Sequence, residues 1–288
     1  MRKRVSDIGK RLRVYASFIK LEHTVFSLPL LFAGMLLHTR GEWPGWRLVL
    51  LIVSAAVGAR VMAMGLNRLI DQKIDARNPR TKGRELPRGA MGRVEAWGLV
   101  LLAGLVYGLS AWAIDPLCFR LSPIPVILFF IYPYLKRITT LAHLGLGVAW
   151  SMGPLAGWVV AARSLTHVSE VRWLWLFSVL WVAGFDVIYA TMDETFDREA
   201  GLHSLPARLG KRKSLQVAAV WHAMAVLSLY MLWLMELHTP AAFAWLAAIG
   251  AILIWQHAVA EKRPEFAFFQ LNGVLGFLVL GMVVAGIF

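Results

Sequence analysis

Cysteine occurs once in 288 residues, at Cys118, so the chain offers no internal disulfide and no thiolate metal site. Charge is also scarce: Asp, Glu, Lys and Arg make up 16% of the residues, against 58% hydrophobic ones and 13 tryptophans. That balance excludes an ordinary soluble domain of this length. Acidic residues are the rarer sign, 17 against 30 basic ones, leaving a net charge of +13. A basic balance of this kind can serve nucleic acid, but here the cations collect between apolar runs. No nucleic-acid partner is expected, and nothing implies an obligate protein partner.

Apolar runs long enough to cross a bilayer recur near 22–38, 47–67, 94–114, 119–135, 139–162, 171–190, 215–236, 240–259 and 266–288. The expected fold is therefore all-α integral membrane, with about nine transmembrane helices. Ahead of them, residues 1–20 are basic, with Val5, Ile8, Leu12, Tyr15 and Ile19 at helical spacing. That pattern predicts an interfacial amphipathic helix rather than a signal peptide. Most Lys and Arg fall on one side of this arrangement: the N-terminal arm, 68–93, Lys136–Arg137, 198–213 and Lys262–Arg263. The other side carries Arg40, Arg47, Arg120, Arg163 and Arg172, together with Trp43, Trp46, Trp112, Trp173 and Trp175. The basic side is expected to be cytoplasmic and the tryptophans to form an aromatic belt opposite, in a multi-pass protein of the cell membrane.

Two stretches break the apolar rule. If 48–75 is helical, Arg60, Met64, Asn67, Asp71 and Asp75 share one face, and a loop with Arg80, Lys82 and Arg84 follows. Asp186, Tyr189, Asp193 and Asp197 share a face in the same way, again ahead of a basic loop. Charges at membrane depth are costly and mark function. One reading of the first pair is local, with Asp71 and Asp75 closing helix-end ion pairs with Arg68 and Lys73. The other is that two facing carboxylate pairs hold hard divalent cations through oxygen. Both stretches end on the cytoplasmic side, where their loops can meet over one cavity. Beyond the likeness of these stretches there is no repeat, linker or low-complexity segment, so a single domain spanning 1–288 is expected.

Asn67-x-x-x-Asp71-x-x-x-Asp75 with Arg80-Thr-Lys-x-Arg84, and Asp186-x-x-Tyr189-Ala-x-x-Asp193-x-x-x-Asp197, resemble the two signature motifs of the UbiA superfamily of intramembrane prenyltransferases. Gly201-Leu-His-Ser-Leu-Pro206 is similar to the 4-hydroxybenzoate polyprenyltransferase-like branch of quinone synthesis, ubiquinone or menaquinone. The resemblance implies a ring of helices around a central cavity. It also implies Mg²⁺-dependent transfer of a polyprenyl group from an allylic diphosphate to an aromatic acid, by ionisation and electrophilic aromatic substitution. Two Mg²⁺ ions would lie on Asp71, Asp75, Asp193 and Asp197, with Asn67 as an amide ligand. Arg80, Arg84 and Lys136, the last in Tyr132-Pro-x-x-Lys136-Arg, would bind the diphosphate, with Tyr189 as a hydrogen-bond donor. Anchoring at the membrane surface is the competing account of these cations.

Arg60, deeper on the first stripe, is the candidate to orient the acceptor's carboxylate, or else it pairs with Asp186. Asp186 is also a candidate proton acceptor. His143 stands near where many relatives carry a glutamine, and Glu85 replaces a usual proline. His203 and Ser204 read as loop structure, and His222 and His257 as packed. The runner-up acceptor is a 1,4-dihydroxynaphthoate of menaquinone synthesis. Outside the class, an ion-coupled transporter would use the same intramembrane Asp and Arg, though such sites sit nearer the bilayer midplane.

Overall fold

The computed structural model describes Arg11 and residues 13–288. Among these residues the regular structure is helical, with no strand. Leu21–Thr39 forms α1; Trp46–Arg77, Arg93–Ile114, Pro116–Leu135 and Ala142–Ala162 form α2 to α5. Val168–Glu199, Lys211–Leu237, Pro240–Ala260 and Pro264–Ile287 form α6 to α9. Among the described residues, α2 to α9 are 8 helices long and apolar enough to cross a bilayer, and in α1 the apolar stretch is the shorter Leu28–Thr39. The protein is thus all-α and multi-pass. Of the expected amphipathic segment, residues 13–19 are helical, and 1–10 and 12 lie outside the described residues.

The helix ends follow local chemistry. α4 starts at Pro116 rather than 119 because Asp115 caps it, its carboxylate accepting from the Leu117 amide at 2.8 Å with proline at the first helical position. Pro123 cannot donate to the Phe119 carbonyl, which accepts instead from the Ser122 hydroxyl at 2.8 Å and the Ser122 amide at 3.2 Å, and the helix is interrupted there. α5 is broken at Ser151, three residues ahead of Pro154, whose ring removes a backbone donor. α6 runs past the expected end at 190 through a 3₁₀ turn at Thr191–Asp193 and on to Glu199.

α2 packs against α3 and α4, α4 against α5, and α5 against α1 and α6; α6 lies on α7, and α9 bridges α8 and α1. α6 is the central helix: 72% of its most apolar window is buried within the protein, against 11% for α4. Trp158, Phe177 and Trp181 are fully enclosed in the core around it. At the other extreme, of the five tryptophans expected in a belt, Trp43, Trp46 and Trp112 are exposed, whereas Trp173 and Trp175 are half-buried.

Glycine sets the α1–α5 contact. A Cβ on Gly157 would lie 1.9 Å from the Leu31 carbonyl oxygen, and one on Gly34 would lie 2.1 Å from that of Pro154. Backbones this close admit no side chain, as in tightly crossed membrane helices. Gly157→Val is therefore expected to cost about 3 kcal/mol or more through overpacking. Thermal unfolding followed by tryptophan fluorescence in detergent would register it as a clear fall in midpoint; an unchanged midpoint would contradict the close contact.

Candidate active site

A cavity of about 670 Å³ opens between α2, α4, α5, α6 and the start of α9. Its mouth is built by the turn after α2. Pro79 forces Asn78 out of the helix into extended backbone. The chain then folds back, with Thr81 and Lys82 amides donating to the Asn78 carbonyl at 3.0 and 2.8 Å and the Thr81 hydroxyl donating to the Asp75 carbonyl at 3.1 Å. This returns Arg80 and Arg84 to the carboxylates from which the helix had carried the chain away.

Each mouth carboxylate but one is ion-paired. Asp71, almost fully buried, receives Lys136 Nζ at 2.5 Å, Arg137 at 3.3 Å and the Asn67 amide at 3.3 Å. Arg84 contacts both oxygens of Asp75 at 2.8 Å. Arg80 forms an ion pair with Asp193, donates to the Tyr189 hydroxyl at 2.5 Å and lies over the Tyr189 ring at 4.4 Å. Asn78 adds a bond to Asp193 at 2.9 Å. Burial works against the Arg80 charge, but Asp193 and Tyr189 outweigh it and hold its pKa above the ordinary value. Asp197 lines the same cavity with no Lys, Arg or His at ion-pair distance among the described residues.

Beside this cluster, Arg68 lies 3.4 Å from Glu85, both buried, and the Ser17 hydroxyl donates to Glu85 at 2.6 Å. Burial alone would raise the Glu85 pKa; the Ser17 hydroxyl, the residue's own backbone and Arg68 instead hold it below the usual carboxylate range. The helix-end pairs of Asp71 and Asp75 with Arg68 and Lys73 do not form. Asp71 and Asp75 reach across to other segments instead.

Deeper in, Arg60 lies over the Trp150 ring at 4.6 Å with its Nε buried and unpartnered. It does not pair with Asp186, which is bonded to His143 Nδ1 at 2.6 Å. Arg60, Tyr132, Leu146 and Trp150 are shared between this cavity and a second, apolar one of about 490 Å³, lined by Ala55, Ala59, Ala111 and Phe129 among others. On the far wall, a π-helical turn at Ala267–Leu271 sets Phe268 against Tyr189, ring centres 4.2 Å apart.

All twelve site residues named from sequence line this cavity: Arg60, Asn67, Asp71, Asp75, Arg80, Arg84, Tyr132, Lys136, Asp186, Tyr189, Asp193 and Asp197. The donors offered to a metal are all hard oxygens, the chemistry Mg²⁺ requires. They do not converge as they stand: among the described residues no three His, Cys, Asp or Glu form a metal-holding group. Sequence reasoning missed Asn78 and the Arg137 contact, and it left His143 without a partner. An Asn-Pro step ending a helix was the available signal for Asn78; the other two depend on tertiary contact.

An all-α membrane enzyme with facing carboxylates and cations at the mouth of one intramembrane cavity is the class these features define. The UbiA prenyltransferase family profile matches residues 27–285, and the chain belongs to that family. It is 30% identical over 286 residues to a 4-hydroxybenzoate octaprenyltransferase of Vibrio vulnificus (strain CMCP6), covering 96% of this chain and 98% of the relative. A second, of Shewanella woodyi (strain ATCC 51908 / MS32), is 28% identical over 286 residues, with 96% and 98% covered. The apo structure of a UbiA homolog from Aeropyrum pernix K1 superposes with a TM-score of 0.85 at 33% identity, covering 91% of this chain and 97% of that one. A UbiA homolog from Archaeoglobus fulgidus bound to GPP and Mg²⁺ shares the fold with a TM-score of 0.74 at 17% identity, covering 95% and 99%. The protein is thus a prenyltransferase, and the transporter reading falls away.

Proposed function

We propose that the protein transfers a polyprenyl group from an allylic diphosphate to an aromatic acid of the 4-hydroxybenzoate type, with Mg²⁺, for quinone synthesis. The observation that carries this reading is the layering of the cavity. Carboxylates and cations ring its mouth, the Arg60 guanidinium with its unpartnered Nε lies below, and an apolar chamber opens beside them. The names of the relatives support the acceptor class, and homologs bound to GPP or DMAPP with Mg²⁺ support the donor.

Asp71, Asp75, Asp193 and Asp197, with the Asn67 amide oxygen, would hold two Mg²⁺, which supply charge neutralisation for a departing diphosphate. Arg80, Arg84 and Lys136, now paired with carboxylates, turn their charge to the diphosphate oxygens, and Tyr189 donates to them. The apolar chamber takes the prenyl chain and keeps water from the allylic cation. Arg60, with Tyr132 beside it, fixes the acceptor's carboxylate. The C–O bonding pair departs with the diphosphate, a ring carbon supplies the pair for the new C–C bond, and the ring proton passes to Asp186. The positive-inside distribution of Lys and Arg supports a cytoplasmic mouth and N-terminus.

Purified protein offered geranyl to long-chain diphosphates should prenylate 4-hydroxybenzoate. Product from dihydroxynaphthoate alone would overturn the acceptor assignment. EDTA should stop the reaction and added Mg²⁺ restore it; a rate indifferent to chelation would refute the metal requirement.

A further inference from the structure

We infer that His143 is a positioning residue for this reaction, holding Asp186 in place by a single selected tautomer and tying it to the segment 203–205. The inference rests on the function proposed above and adds to it a residue that the motifs do not include. His143 is buried, with Nδ1 2.6 Å from Asp186 Oδ2 and Nε2 3.2 Å from the Leu205 backbone nitrogen.

A backbone amide can only donate. Nε2 must therefore present its lone pair to Leu205, which leaves the imidazole proton on Nδ1, donated to Asp186. An imidazolium, or the other tautomer, would set N–H against N–H at Leu205. The main chain thus dictates which nitrogen carries the proton. Asp186 Oδ2 is engaged in this bond, and Oδ1 has no protein partner among the described residues while the side chain lines the cavity.

The same segment is held at a second point. The His203 amide donates to the Lys136 carbonyl at 2.7 Å, and Ser204 caps the short helix Leu205–Leu209. Lys136 in turn holds Asp71. One short run of backbone therefore registers Lys136 at the diphosphate end and, through His143, Asp186 at the acceptor end. A displaced proton acceptor is a kinetic fault rather than a binding one, because a misplacement of about 1 Å costs on the order of 100-fold in rate.

Glutamine carries one amide donor and one carbonyl acceptor, and so can repeat both bonds; leucine can make neither. His143→Leu is expected to lower kcat by on the order of 100-fold with KM for geranyl diphosphate unchanged, and His143→Gln to recover most of that loss. A His143→Leu enzyme with undiminished kcat, or a His143→Gln enzyme as poor as His143→Leu, would overturn the inference. Where His143→Leu fails to fold, ¹⁵N NMR of histidine-labelled full-length protein decides, with His143→Gln locating the resonance. Protonated Nδ1 with bare Nε2 is expected, and the reverse tautomer would refute the assignment. If the unsubstituted enzyme does not prenylate hydroxybenzoate, the functional reading fails, while the tautomer still stands or falls by its own spectrum.

Discussion

Asp71→Asn and Asp193→Asn are each expected to reduce prenyl transfer by on the order of 1,000-fold, the upper range for removing one preorganised electrostatic group. The substitution preserves shape and removes only charge. At Asp71 it takes the anion from a pocket where Lys136, Arg137 and Asn67 converge. At Asp193 it takes it from Arg80 and Asn78. Partners left without a counter-charge in a buried site destabilise locally, so expression and thermal midpoint should be measured beside activity. Glu194→Gln is the control. Glu194 pairs with Arg198 at 2.8 Å one helical turn away on a partly exposed surface, a contact of small value. It should leave turnover near the unsubstituted rate. Mg²⁺-dependent turnover retained in both Asn variants would sink the site assignment.

Arg60→Ala should separate the two substrates. The expected result is a KM for the aromatic acid raised roughly 10- to 100-fold, the worth of hydrogen bonds to a charged partner. Diphosphate binding should stay unchanged. The argument rests on a guanidinium that lies over Trp150 at the cavity wall with a buried, unpartnered Nε, a costly state that an incoming carboxylate relieves. Arg60→Lys is not expected to restore the acid's KM, because an ammonium offers neither the planar fork nor the stacking. An acceptor KM indifferent to Arg60→Ala would refute the carboxylate role.

Much of the site could be read before any coordinates, and for a definite reason. A carboxylate inside an apolar run has few innocent explanations, and helical period alone placed Asn67, Asp71 and Asp75 on one face and Asp186 and Tyr189 on another. The partners could not be read so. Asp71 is neutralised by Lys136 and Arg137, which directly follow α4, not by Arg68 nearby, because the packing of α4 on α2 sets those distances. The 3₁₀ turn at Thr191–Asp193 was likewise invisible, since nothing in Thr-Met-Asp distinguishes it from one more α-helical turn. His143 was noticed only as a departure from relatives. Its meaning lies in two bonds, to Asp186 and Leu205, that no spacing rule foretells.

The contrast between α4 and α6 has a further result. The carboxylates Asp186 and Asp193 ride on a helix largely enclosed by protein, whereas Tyr132 belongs to α4, a helix with little of its surface buried within the protein, and Lys136 follows it directly. One jaw of the clamp is thus anchored in the fold, and the other is held by few protein neighbours. Changes in bilayer thickness or in the solubilising micelle will reach the Lys136–Asp71 distance before they disturb the opposite wall.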